Sequence, residues 1–117
     1  MSIISGEKVR AIQTVVKGLK EGKIMVSRVT KYGRGKHKYP YVNLPELLIK
    51  TLGLRHGNKL TVYMGPGYVE YKLGGRGDFK IVKGNSRGTT LRVRFPIDYE
   101  GPVIIEVVDG GFRVYYS

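Results

Sequence analysis

Basic residues are concentrated in two stretches of the chain that contain no acidic residue. The first stretch lies between Glu21 and Glu46 and carries Lys23, Arg28, Lys31, Arg34, Lys36 and Lys38. The second lies between Asp78 and Asp98 and carries Lys80, Lys83, Arg87, Arg92 and Arg94. Ammonium and guanidinium groups in such numbers bind phosphate oxygens by charge and by hydrogen bonds. We therefore expect a polyanionic partner, and a nucleic acid first.

The overall charge agrees with this expectation but does not establish it. The 117 residues include 21 Lys and Arg against 9 Asp and Glu, a net charge of +12. A positively charged, merely solvated surface would have the same total. The order of the charges is more informative, because the chain after residue 97 is acidic: Asp98, Glu100, Glu106 and Asp109 face only Arg113. Charge is therefore sorted along the sequence, which solubility alone does not require.

Other chemistries find little support. The chain has no Cys, which excludes disulfides and zinc sites built on cysteine. His37 and His56 have no acidic cluster beside them, so we expect no metal site. Neither a nucleophile with its base nor a phosphate-binding P-loop is present, which predicts a non-enzyme without a cofactor. The sequence shows no membrane span and no secretory signal, and we expect a cytoplasmic, nucleoid-associated protein.

The basic stretches must be positioned by two copies of one small β unit. Strands are predicted at 23–31 and 38–44 around a flexible basic loop at 32–37, and again at 79–83 and 89–95 around a turn at 84–88. A second match, between 57–73 and 101–117, predicts strands 59–64, 68–73, 102–108 and 112–116. A short helix is expected at 45–53, after Pro45 and before Gly53. The second copy has no room for this helix between Pro96 and Gly101.

The N-terminal segment predicts one further helix, at 6–22. Apolar residues recur there at helical spacing, at Val9, Ile12, Val15, Val16 and Leu19. Such a helix is expected to dock by its apolar face on the barrel or on a partner subunit, and direct DNA contact is the less favoured alternative. The predicted organisation is therefore an N-terminal helix (1–23), a first repeat (24–73), a Gly-rich linker (74–77) and a second repeat without its helix (78–117).

The first repeat resembles the AbrB-type swapped-hairpin DNA-binding family. The matching residues are Gly33-Arg34 in a turn, Leu44-Pro45, Glu46-Leu47, Lys50-Thr51-Leu52-Gly53-Leu54 and Gly57-Asn58-Lys59-Leu60. The resemblance covers roughly 24–73, and the second repeat matches only through its strands and turns. It implies a mainly β fold with minor α, in which two ββ(α)ββ repeats interleave into one swapped-hairpin barrel. This chain would then be a fused pseudo-dimer, either monomeric or paired as a homodimer.

The resemblance also implies which residues contact DNA. Contacts in the family come from the first strand, the Gly-Arg turn and the short helix, which here nominates Arg28, Lys31, Arg34 and Lys50. The charge pattern adds Lys36, Lys38, Lys83, Arg87, Arg92 and Arg94 as candidate DNA-binding residues. Tyr32 and Tyr39 adjoin lysines and are candidates for base stacking.

Three functions remain open from the sequence. Double-stranded DNA binding by a transcriptional regulator or an architectural factor is favoured. Binding of RNA or single-stranded DNA through the tyrosines and lysines is the first alternative. A protein-interaction module like the antitoxins that share this barrel is the second. It is less favoured, because the sequence ends at Ser117, just after the last predicted strand, without the segment that would wrap a toxin.

Overall fold

The computed structural model describes the backbone of residues 6–117, and the side chains of Arg10 and of residues 12–117. Residues 1–5, the beginning of the predicted N-terminal unit, lie outside the described part. Helix α1 spans Gly6–Lys20 and helix α2 spans Glu46–Leu52. The strands are β1 Ile24–Arg34, β2 His37–Leu44, β3 Lys59–Gly65, β4 Tyr68–Leu73, β5 Phe79–Lys80, β6 Val82–Lys83, β7 Leu91–Arg94, β8 Gly101–Val108 and β9 Gly111–Tyr115. The predicted mainly β fold is confirmed.

All the strands belong to one antiparallel sheet that nearly closes on itself. Its order is β5-β3-β4-β9-β8-β1-β2-β7-β6. The two strands at its edges, β5 and β6, are separated along the chain by Ile81 alone. The Ile81 N–H donates to the carbonyl of Asn58 (2.9 Å), and the Ile81 carbonyl accepts from Gly57 (2.8 Å). Residues 79–83 therefore join the two edges, which confirms the prediction of a nearly closed barrel over 24–116.

The interior of the barrel is filled by residues that alternate along the strands. Those with no measurable exposure include Val29, Val42, Val69, Val93, Ile105 and Val114. Because successive side chains of a strand point to opposite faces, the residues between them point outward. This two-residue period, visible in the sequence, fixes which side chains of the basic strands lie on the surface.

Different structures cover the two ends of the barrel. At one end α2 follows Pro45, inserts the fully buried Leu48, and stops at Gly53, whose left-handed φ of +64° lets its N–H reach the carbonyl of Ile49. At the opposite end β7 runs into Phe95, which is 1% exposed. The Phe95 ring packs against Tyr99 and Tyr116, with centroids 6.3 and 5.7 Å away. Aromatic side chains thus fill this end, where the chain from Pro96 to Glu100 forms no helix.

Helix α1 lies outside the barrel, as expected, but it does not dock by its apolar face. Ile12 is 56% exposed and Leu19 is 50% exposed, and Val15 and Val16 are also exposed. The face that approaches the barrel carries Gly18 instead, where a Cβ would collide with the side chain of Ile24. Of the two predicted partners of the stripe, the barrel is therefore excluded for the described residues, because the close approach at Gly18 turns the stripe away from it. Docking on a partner subunit stays a prediction.

The first hairpin is longer and tighter than predicted. Residues 32–37 were expected to form a flexible loop, but β1 continues to Arg34 and β2 begins at His37. Only Gly35 and Lys36 form the turn, with Gly35 at a φ of +57°. Register pairs continue to the tip, where Tyr32 faces Tyr39 and Arg34 faces His37. The expectation of a loop is wrong because cross-strand pairing holds this glycine-rich segment extended.

Candidate nucleic-acid interface

The outward-facing side chains of β1, β2, β6 and β7 form a surface that we call the basic layer. These four adjacent strands contain no Asp or Glu. Val29 and Val42 face each other in the core, so the flanking positions point outward. On β1 and β2 these positions carry Arg28, Thr30, Tyr32, Arg34, His37, Tyr39, Tyr41 and Asn43, and on β6 and β7 they carry Val82, Arg92 and Arg94. Cations and aromatic rings therefore share one acid-free surface.

Two arginines of β7 occupy the centre of the basic layer and lie over tyrosine rings. The Arg92 guanidinium carbon is 3.7 Å from the centroid of Tyr32 and 5.1 Å from that of Tyr41. The Arg94 guanidinium carbon is 4.0 Å from the centroid of Tyr39. These distances are within the range of cation–π attraction, which stabilises each guanidinium against its tyrosine ring. The arginines are therefore held in place before any ligand arrives.

Tyr32, the tyrosine in contact with Arg92, is held in place by a hydrogen bond to Asn43. The Tyr32 hydroxyl donates to Oδ1 of Asn43 (2.9 Å), and Nδ2 of Asn43 donates to the carbonyl of Arg28 (3.0 Å). Both rings have a guanidinium over them, Arg92 over Tyr32 and Arg94 over Tyr39, but Tyr39 keeps 43% of its surface exposed. Of the two predicted stacking residues, Tyr39 presents the more accessible ring.

The first hairpin carries three of the predicted cations at its tip. Arg34, Lys36 and Lys38 are all exposed there. Gly33 adopts a φ of +149°, and a Cβ at this position would collide with the carbonyl oxygen of His37. Only glycine therefore lets the two strands approach closely enough to set Arg34 at the end of β1.

We expect Gly33→Ala to destabilise the protein by about 1–3 kcal/mol, because both the backbone angle and the collision oppose a side chain. Gly35→Ala is the matched control. Gly35 also has a positive φ, but a Cβ there meets nothing within 4 Å, so its cost should be limited to the backbone term of about 1 kcal/mol. Denaturant unfolding of both variants measures the difference. Equal destabilisation by the two substitutions would contradict the role assigned to the close approach.

The second hairpin presents Arg87 on a different scaffold. The Asn85 side chain holds the turn, since its Oδ1 accepts from the Thr89 N–H (3.0 Å) and its Nδ2 donates to the Thr89 hydroxyl (2.6 Å). The Gly88 N–H donates to the Asn85 carbonyl (3.2 Å). Arg87 is exposed within this hydrogen-bonded turn. Lys83 precedes the turn, is exposed, and pairs in register with the buried Leu91.

The two hairpin turns lie at opposite ends of the basic layer. Strands β2 and β7 are antiparallel, and Leu44 pairs with Leu91, beside the second turn. His37, at the other end of β2, pairs with Arg34 beside the first turn. Seven steps of strand separate His37 from Leu44, which is ~23 Å at ~3.3 Å per residue. The turns extend beyond these levels, so Lys36 and Arg87 lie on the order of 30 Å apart.

Two predicted DNA-binding residues lie elsewhere. Lys31 pairs with Pro40 on the inward row of β1, and its Nζ is 2.8 Å from Oδ1 of Asp98. The hydrogen bond to Asp98 raises the pKa of Lys31 above its ordinary value. Lys50 is on α2, outside the basic layer, with its Nζ 2.9 Å from Oε1 of Glu46. The structure brings together Arg28, Arg34, Arg92 and Arg94 on one face, but not these two lysines.

The sequence-based list omits Tyr41 of the basic layer and the exposed cation Lys80 on β5. Lys80 is exposed and pairs with Lys59 at the edge that residues 79–83 close. Tyr41 faces outward between Thr30 and Arg94 and packs edge-on against Tyr32, with centroids 6.0 Å apart. The strand alternation could have identified both residues. Tyr41 is two positions after the outward-facing Tyr39, and Lys80 is next to the buried Ile81.

Two strands outside the basic layer carry paired acids, Glu70 on β4 and Glu106 on β8. Oε1 of Glu70 accepts a hydrogen bond from Nε of Arg113 (2.7 Å), and this bond raises the pKa of Arg113. Oε1 of Glu106 accepts from the Tyr115 hydroxyl (2.7 Å). Burial and the bond to Glu106 both raise the pKa of Tyr115. The acids of β4 and β8 therefore lie on a different layer from the cations of β1, β2 and β7.

Among the described residues, no three His, Asp or Glu side chains are grouped so that they would hold a metal ion. Neither helix, over its described length, is long and apolar enough to cross a membrane. Comparison with protein-family models, with curated proteins and with solved structures finds no match for this chain.

Proposed function

We propose that this protein binds double-stranded DNA through the basic layer, as a transcriptional regulator or an architectural factor. The observation that carries the proposal is the distribution of charge on this surface. Arginines lie at its centre, basic turns lie at both of its ends, and its four strands contain no acid. Phosphates are the ligands that such a surface favours, since contacts to the DNA backbone supply most of the affinity of DNA-binding proteins.

The strand pairing supports the idea of a fused pseudo-dimer of the AbrB type. The first strand of the first copy, β1, pairs with β8 of the second copy. Conversely, the first strand of the second copy pairs with β3 of the first, at Lys59 and Leu60. The remaining pairs between the copies join equivalent strands, β2 with β7 and β4 with β9. These pairings are the ones that an exchange of hairpins between two copies would produce, and they support the arrangement that the resemblance implies.

The register supports a pseudo-two-fold axis at the centre of the basic layer. Val42 and Val93 occupy the same position in the two copies, before Leu44-Pro45 and Phe95-Pro96, and they face each other in the β2–β7 pair. An axis between them relates the two hairpins and sets their turns at opposite ends. Duplex DNA has two-fold axes of its own, and half-sites read from one side are ~34–36 Å apart. The separation of the turns, on the order of 30 Å, is compatible with contact at two successive grooves.

A competition experiment tests the proposal. A labelled duplex is bound to the protein, and unlabelled duplex DNA, single-stranded DNA and RNA of the same length and sequence compete in a gel-shift assay. We expect duplex DNA to be the strongest competitor. Stronger competition by RNA or by the single strand would replace the proposal with the single-strand alternative, and no shift with any nucleic acid would overturn both.

The two hairpins should contact different parts of the DNA, the first the base edges and the second the phosphate backbone. Because the first hairpin is longer and more basic at its tip, we expect Arg34 to reach base edges, each worth about 1–3 kcal/mol of discrimination, and Arg87 to contact the backbone. Arg34→Ala should then relax the preferred sequence, whereas Arg87→Ala should weaken binding to all sequences about equally. Selection from random duplexes with both variants and the wild type measures this. A changed preference in Arg87→Ala alone would reverse the assignment, and no preference in the wild type would make the protein architectural.

A further inference from the structure

The pseudo-two-fold symmetry is broken at one end of the barrel, and a groove lies there. In the first copy α2 follows Pro45 and buries Leu48. In the second copy the chain after Pro96 reaches β8 without a helix. The groove beside this short connection has a volume of about 490 Å³, within the size range of small-molecule pockets. We call it the open-end groove and define it by Lys38, Tyr39, Phe79, Arg94, Ile97 and Asp98.

The side chains of the open-end groove combine a planar apolar surface with positive charge. Tyr39 is 43% exposed, and the Arg94 guanidinium lies 4.0 Å from its ring centroid. Phe79 and Ile97, both half-buried, pack against the core and supply apolar walls. Aromatic rings and guanidinium planes of this kind stack with nucleobases.

The charges of the groove favour an anion. Lys38 is exposed on the first hairpin, and Arg94 lies within the groove. The one acid of the lining, Asp98, has its carboxylate 2.8 Å from the ammonium of Lys31, which compensates its charge. The remaining charge is positive, so a phosphate attached to a stacked base would find a cation within the same groove.

We propose that the open-end groove binds one unpaired nucleotide, with its base stacked between Tyr39 and the apolar walls and its phosphate next to Lys38 or Arg94. The groove adjoins the basic layer, because Tyr39 and Arg94 belong to both. The inference therefore extends the proposed function: a base at a strand end, or one displaced from the duplex, enters the groove while the layer holds the backbone. A free mononucleotide offers the same chemistry and is the other possible source of the ligand.

The experiment compares a blunt duplex with the same duplex carrying a short thymine overhang. One stacked base should tighten binding by roughly 5- to 100-fold, so the overhang duplex should bind better than the blunt one by a factor in this range. Tyr39→Leu should bring the ratio of the two affinities close to one. Tyr39→Phe, which keeps the ring, should preserve the ratio. Tyr63→Leu is the matched control, because Tyr63 is 50% exposed on β3, on another part of the barrel.

The outcomes separate this inference from the proposed function. Equal binding of blunt and overhang duplexes by the wild type overturns the groove and leaves duplex binding intact. The groove is also overturned if Tyr63→Leu lowers the ratio as much as Tyr39→Leu. Tyr39-dependent binding of a single strand without any duplex binding overturns the proposed function and supports the groove. Displacement of the overhang advantage by millimolar adenosine monophosphate identifies a free nucleotide as a ligand of the same groove.

Discussion

Raising the salt concentration from about 50 to about 200 mM should weaken binding to duplex DNA by about 2,000-fold. The strands of the basic layer and their turns present six exposed cations: Arg28, Arg34, Lys36, Lys38, Lys83 and Arg87. Each phosphate neutralised releases counterions and contributes about −0.9 to the slope of log affinity against log salt, so six contacts give about −5.4. Fluorescence anisotropy over a salt series measures the slope. A slope near zero would exclude the electrostatic mechanism.

Single substitutions should show which cations produce this slope. Arg28→Ala should flatten it by about one unit, because one phosphate contact is lost. Lys50→Ala is the matched control. It removes one positive charge, as Arg28→Ala does, but Lys50 lies on α2 and is paired with Glu46. Its slope should equal that of the wild type. If Lys50→Ala flattens the slope as much as Arg28→Ala does, the helix takes part in the interface, as the family resemblance implies, and the basic layer alone does not describe it.

The sequence predicted the composition of the interface better than its geometry. The two acid-free stretches identified the strands of the basic layer, because charge and strand periodicity are both local properties. The environment of Lys31 could not be predicted from its own strand. Lys31 lies two positions after the buried Val29, and its partner Asp98 comes from the connection between β7 and β8. Contacts of this kind depend on the register between copies, which no single segment determines.

The nearly closed sheet was predictable because two matching hairpins, interpreted as a repeat, restrict the possible strand pairings. The structure has this nearly closed antiparallel sheet. The alignment of the second match was less accurate. Gly67 and Gly110, with φ of +76° and +75°, occupy equivalent places in their turns, so the copies align one residue away from the match of 57–73 with 101–117. Burial supports the shifted alignment. It pairs Val69 with Phe112, and both are buried, whereas the original match pairs Val69 with Arg113, which is not buried.

Helix α1 and the first hairpin show where local rules fail. The apolar stripe of α1 predicted a face docked on the barrel or on a partner subunit, but the barrel meets the helix at Gly18, so only the partner subunit stays as a prediction for the stripe. The glycines at 33 and 35 predicted a loop, but one of them serves the close approach of two strands and the other a two-residue turn. Glycine marks an unusual backbone angle or a close contact, and the sequence alone does not say which.

Phe95→Ala should cause the largest loss of stability among these substitutions, about 3–5 kcal/mol. Phe95 is 1% exposed and fills the barrel end that lacks a helix, between Tyr99 and Tyr116. Leu48→Ala, at the opposite end, should cost about 2–5 kcal/mol, because α2 has only this side chain fully buried. Leu47→Ala is the matched control. Leu47 is next to Leu48 in the same helix but is 48% exposed, so its substitution should change stability by about 0.5 kcal/mol or less.

The two core substitutions lie in different copies, yet they should shift one and the same unfolding transition. Strand β1 is hydrogen-bonded to β8, and residues 79–83 are hydrogen-bonded to β3, so neither copy keeps its strands paired once the other unfolds. Calorimetry should show a single peak for the wild type and both variants, with Tm lowered by about 4 °C per kcal/mol. A melt that splits into two transitions in Leu48→Ala but not in Phe95→Ala would mean that the second copy folds on its own. The proposed exchange of hairpins would then not be what stabilises the barrel.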